Sequence, residues 1–220
     1  MAATERMKAT PKRAQAGFNL LEILVSMLVL MLGLLGLVGL QATAQQAEVE
    51  SYQRAQAMVL MNDIVDRLNT NRKGGPCYNI TASSGVKYVG TATYLGAADS
   101  DHYDTSSAVN CPSVATNPNA QNRASLDLQL IDEMMQGVTE TRGGASVGSM
   151  IGARACIGFD TDTQAYTVAV AWQGLSKTFS PYSWPSATNP AVARNCAKDK
   201  FGDDAQRRVV WTTLLVASLN

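Results

Sequence analysis

Histidine is almost missing from this chain, and closely paired cysteines are missing altogether. His102 is the only imidazole in 220 residues, and Cys77, Cys111, Cys156 and Cys196 include no CxxC pair. Zinc sites draw on closely spaced Cys and His, so this spacing argues against one. There is also no G-x-S-x-G, no HExxH and no glycine-rich phosphate loop. Gly143-Gly144-Ala145-Ser146-Val147-Gly148 follows no recognisable buried strand and reads as a loop. His102, in a polar loop without a nucleophile beside it, reads as a surface residue. The expectation is no enzyme, no cofactor and no metal. The 18 basic and 18 acidic residues cancel to a net charge of zero, so charge makes no case for nucleic-acid binding.

One long stretch lacks charge entirely. Between Glu22 and Glu48 lie 25 uncharged residues, roughly 37 Å as a helix, against a hydrocarbon core of about 30 Å. Before Gly17 stand Arg6, Lys8, Lys12 and Arg13 against Glu5, a surplus of +3, and the remainder carries −3. A basic flank ahead of an apolar run places the N-terminus in the cytoplasm and the chain beyond the run outside. A cleaved secretory signal is the competing reading. Ala42-Thr43-Ala44 offers an A-x-A site that would start the mature chain at Gln45, although the run exceeds the usual signal core of about 7–15 residues. Gly33, Gly36 and Gly39, three apart, suit either close helix packing or a segment that can stretch.

All four cysteines lie beyond the apolar run, consistent with an oxidising compartment and two disulfides. Of the three possible pairings, chain proximity favours Cys77–Cys111 and Cys156–Cys196.

Helical periodicity continues beyond the run as an amphipathic segment, with Tyr52, Ala55, Met58, Val59, Val65 and Leu68 recurring at three- and four-residue steps up to Asn69. The Asn69–Pro76 stretch stops it. Residues 77–122 read as turn-rich, with a short strand near Lys87-Tyr88-Val89. Asp99, Asp101, His102 and Asp104 form an acidic cluster lacking the Gly and closing Glu of an EF-hand, and read as solvated loop. Leu126–Met135 reads as a short helix ending near Gly137. Ala155–Phe159 and Ala165–Trp172, joined by Asp160–Thr163, predict an antiparallel hairpin. Arg208–Val216 predicts a last strand after a long excursion over 173–207. Arg207-Arg208 reads as a solvated approach to that strand, or as a small basic contact patch.

The segment AQAG-FNLLEILVSMLVLMLGLLGLVGL joins a basic leader, Gly17, an aromatic Phe18 and a Glu five residues into the cut chain. This pattern resembles the type III signal of type IV pilins and pseudopilins. The strings CIGFD, AYTVAVAWQG and RRVVWTTLLV resemble the PilV group of minor pilins. The resemblance implies an α+β pilin-like fold: leader 1–17 cleaved, a long helix over 18–72 that is transmembrane to about Leu40, and a β-rich head over 73–220. It further implies cleavage between Gly17 and Phe18 by prepilin peptidase, N-methylation of Phe18, and Glu22 as the counter-ion of a neighbouring subunit's Phe18 amine. Implied partners are other minor pilins and the major pilin. The implied location is the inner membrane before assembly and the cell-surface pilus after it, in a role that promotes pilus assembly, twitching motility and adhesion. A minor pseudopilin of type II secretion, of the GspI type, and a soluble periplasmic binding protein with a cleaved signal are the alternatives.

Overall fold

The computed structural model describes residues 17, 19–81, 85–94, 97–106, 111–112, 117–138, 141–143, 145–146, 150–160 and 162–216. Two compact units divide the chain, 1–46 and 47–220. The long helix α1, Leu20–Thr70, contributes to both.

In the second unit, residues 47–70 of α1 are followed by a 3-10 segment, Arg72–Tyr78. Asn71 ties this corner down: its Nδ2 donates to the carbonyl of Ala120 at 2.8 Å and to the Tyr78 hydroxyl at 3.1 Å. Next come three two-residue strands, β1 Val89–Gly90, β2 Thr93–Tyr94 and β3 Ala97–Ala98. Helix α2 spans Pro118–Gln136, and a small ladder comes after it, β4 Thr141–Arg142 with β5 Ala145–Ser146. The chain then forms β6 Arg154–Asp160, β7 Ala165–Gln173, the short helix α3 Ala191–Asn195 and β8 Arg207–Leu214. The four longest-range strands form one antiparallel sheet in the order β1-β6-β7-β8. The architecture is α+β.

β7 organises this unit. Its pleat sends Tyr166, Val168, Val170 and Trp172 to one face, and Thr167, Ala169 and Ala171 to the other. The large side chains join Ile157 of β6, Ala57, Ile64 and Leu68 of α1, and Leu128, Ile131 and Met135 of α2 in the main core. The small side chains admit a second layer from the 174–206 excursion, where Ala193, Cys196 and Phe201 cluster with Cys156 and Tyr88. Burial on both faces explains why β7 is buried at every position but its ends. Gly158 belongs to the same close approach, since a Cβ there would sit 2.4 Å from Val192 Cγ2.

Helix α2 begins two turns earlier than the sequence suggests. Asn117 caps it by accepting from the Asn119 and Ala120 amides, with Pro118 at the first helical position. Its first turns, PNAQNRAS, carry too few apolar residues to show a period. Ala120 and Ala124 nevertheless lie buried in line with Leu128. The C-terminus closes as expected on Gly137, whose φ of 69° is left-handed. The Val138 amide donates to the Glu133 carbonyl at 3.1 Å. Gly90 is required twice over: its φ is +119°, and a Cβ would lie 2.4 Å from the Ala153 carbonyl.

Two disulfides staple the fold, Cys77–Cys111 and Cys156–Cys196. The second fastens the excursion to β6. It closes a separation of 40 residues, for which loop-closure entropy stabilises the folded state by about 4 kcal/mol. The double variant C156S/C196S should therefore lose roughly that amount in a urea titration of the detergent-solubilised chain. An unchanged midpoint would show that α3 holds its place by packing alone.

Candidate functional site

In the first unit, α1 opens on Asn19, whose carbonyl accepts from the amides of Glu22 and Ile23 at 2.9 and 3.4 Å. Glu22 thus falls in the first helical turn, where unpaired amides and the positive end of the helix dipole favour a carboxylate. Its place at the mouth of an apolar helix has that local physical reason as well as any intermolecular one. Gly17 is exposed, and Phe18 lies outside the described residues.

The run from Leu20 to Leu40 is apolar on every side and exposed throughout, from 47% at Ile23 to 78% at Leu20. By length and composition this helix can cross a membrane. The two hydroxyls of the helix before Glu48 are satisfied within it: Ser26 Oγ donates to the Ile23 carbonyl at 2.8 Å, and Thr43 Oγ1 to that of Leu40 at 2.9 Å. Between Glu22 and Leu40 the only polar side chain is therefore one whose hydrogen bond is met within the helix, Ser26. A Cβ at Gly33, Gly36 or Gly39 would meet nothing within 4 Å, so no contact among the described residues requires these glycines.

In the second unit, several polar groups that read as solvated are tied into the fold. Lys200 Nζ lies 2.7 Å from both Asp99 Oδ1 and Asp101 Oδ2, and the Asp99 side chain is only 4% exposed. Tyr88 donates its hydroxyl to Asp99 at 2.5 Å. Burial works against the Asp99 carboxylate, but Lys200 and Tyr88 outweigh it and hold its pKa below the usual value. Burial likewise leads in raising the Tyr88 hydroxyl, with Asp99 adding to it, to about 12. Asp99 and Asp101 thus clamp the 99–104 loop to the excursion, with the Asp99 side chain buried while Asp101 and Asp104 stay exposed. Asp104 accepts from the amide and hydroxyl of Ser106.

His102 is likewise not a surface residue. Its Nε2 lies 3.1 Å from Asp132 Oδ1. The buried Asp132 also accepts from the Gly90 amide at 2.6 Å and from Gln136 Nε2 at 2.8 Å. On the same helix, Asp127 accepts from the Tyr78 hydroxyl and, at 3.0 Å, from Arg67, joining α1 to α2. Burial opposes the Arg67 charge, but Asp63 and Asp127 raise its pKa.

Sequence reading missed both aspartates. The steps Leu128, Ile131 and Met135 mark the buried side of α2 and place Asp127 and Asp132 on it, the signal that could have found them.

Arg207 and Arg208 are not a solvated pair. Arg207 is 1% exposed, bonded to Asp204 at 2.6 Å and to the carbonyls of Cys196 and Arg194 at 2.8 and 2.9 Å. Arg208 meets Glu50 of α1 at 3.1 Å and the Ser176 carbonyl at 2.8 Å. Both arginines bind the excursion to the sheet.

Among the described residues, no group of three His, Cys, Asp or Glu side chains is placed to hold a metal ion. Comparison with protein-family models, with curated proteins and with solved structures gives no match.

The ion-pair clamps carry a pH signature. Asp99 and Asp204 have depressed pKa values, so their contribution is present above about pH 4, the unfolded carboxylate value, and is lost as pH falls through their folded values. Lys200 and Tyr88 are raised; their contribution is full below about pH 10 and fades as pH rises through their folded values. The urea midpoint should therefore hold near neutrality and fall at both extremes. Asp99→Asn should flatten the acid limb, and an unchanged limb would remove this clamp as its cause.

Proposed function

We propose that the chain is a minor pilin of a type IV pilus. It is held as a prepilin by the apolar part of α1, with the basic leader in the cytoplasm. Prepilin peptidase cuts between Gly17 and Phe18, and the new Phe18 amine is methylated. The subunit then joins other minor pilins and the major pilin, at or near the fibre tip, to promote assembly. Its mechanism is packing, not catalysis.

One observation carries this reading: the sequence of basic leader, Gly17-Phe18 junction and Glu22 at the first turn of a helix that is otherwise uncharged up to Glu48 and exposed from Leu20 to Leu40. A helix apolar all round needs lipid or other helices about it. It can exchange one for the other only if its single acid is neutralised on the way. A neighbour's Phe18 amine supplies that charge.

Mass spectrometry of the mature N-terminus tests the reading directly. A chain beginning with N-methylated Phe18 is expected, and one beginning at Gln45 overturns it. Co-purification with type II secretion components in place of pilus components would transfer the chain to the pseudopilins. Glu22→Ala should still insert in the membrane but enter pili roughly 100-fold less, the equivalent of about 3 kcal/mol for a buried ion pair deprived of one partner. Normal incorporation would remove the pairing.

A further inference from the structure

β8 is the last strand of its sheet, paired on one side only. Among the described residues, no backbone hydrogen bond reaches its outer edge. Folded proteins commonly protect such an edge with charged side chains, proline or a bulge; the charges of β8 are confined to its first two residues, Arg207 and Arg208, and Val209–Leu214 has none. β8 has no proline and no bulge: its sequence is RRVVWTTL, and its register against β7 runs unbroken from Arg207 to Leu214. Apart from Arg207, each of its residues keeps some exposure.

A groove of about 490 Å³ runs along this edge. Trp172, Arg208 and Val210 project toward the α1 side of the sheet, while Val209 and Trp211 project toward the excursion. Both sets line the one groove, so it wraps around the edge of β8. Its walls are Met58 and Met61 of α1 on one side, and Phe179 and Trp184 of the excursion on the other. All three tryptophans of the chain are here. Tryptophan, methionine and arginine are the residues enriched at interface centres.

The groove also has a sign. No carboxylate is among its described lining residues. Arg208 is engaged by Glu50, whereas Arg54 is exposed and forms no ion pair among the described residues.

We infer that β8 and its groove receive an extended, acidic segment of another protein, which adds as a fifth strand and sets a carboxylate against Arg54. Free amides and carbonyls along an edge are complementary to a polypeptide strand and give a lipid or a glycan no ladder to complete. Alternate side chains of the incoming strand enter the methionine and tryptophan walls. The inference does not depend on the pilus reading, because every residue it uses lies in the 47–220 unit.

The test uses the full chain in detergent micelles and a capped synthetic peptide of about eight residues, alternating Val and Thr with one central Asp, long enough to match a typical strand. Tryptophan emission and hydrogen–deuterium exchange at Val209–Thr213 are the readouts. Added peptide should shift the emission and slow exchange along β8. Arg54→Glu should weaken binding about tenfold, as expected for loss of a charge-assisted hydrogen bond. A peptide with Lys in place of Asp should bind the wild type weakly and recover on Arg54→Glu. Unchanged exchange at saturating peptide, or indifference to the charge swap, overturns the proposal. Concentration-dependent protection of β8 without peptide also overturns it, and assigns the edge to a second copy of the chain.

Discussion

The second unit depends on a single strand being buried on both faces. β7 places its large residues on one side and its small ones on the other, and the two sides call for different covers. α1 and α2 pack on the large side chains. The excursion, which has little apolar content of its own, can lie against the alanine face only because nothing there holds it off. Cys156, opposite Ala169 in the register, points to that same face and meets Cys196. Arg207 and Lys200 then secure the later part of the excursion, Arg207 against Asp204 and Lys200 against the buried Asp99 side chain. An excursion of this composition would not order itself, because its apolar burial is too small to offset the entropy of fixing its backbone.

The first unit is governed by the opposite condition. From Leu20 to Leu40 every residue with a large apolar side chain is exposed, and no polar group in the run looks outward for a partner. The free energy of this helix is therefore decided by its surroundings. Glu22 is the single exception, and the first turn of a helix is the cheapest place to keep it. The absence of internal contacts at Gly33, Gly36 and Gly39 points the same way: if those small residues matter, they matter to other helices or to lipid.

Much of the fold could be read from periodicity. The long helix, its stop after Asn69, the β6–β7 hairpin and the final strand all stand close to where patterns of three, four and two residues put them. The start of α2 was not legible, because a capping Asn followed by Pro looks the same in a loop and at a helix start. The polar clamps were not legible either. Asp99, His102, Lys200 and Arg207 belong to residue types that normally face water, and nothing local distinguishes a charge that will be buried beside its partner from one that will not.

What the sequence alone determined is the order of elements, the apolar span with its lone acid, and the even number of cysteines placed after it. These are properties of neighbours along the chain, and local propensity and hydrophobic spacing suffice to express them. Only the tertiary structure decided which cysteines meet, that Lys200 is shared by Asp99 and Asp101, and that β8, paired on one side only among the described residues, gathers with its groove all three tryptophans. Those outcomes join residues far apart in the chain. They are fixed by which face of β7 each segment covers, a choice made by side-chain volume across the sheet and by no short stretch of sequence.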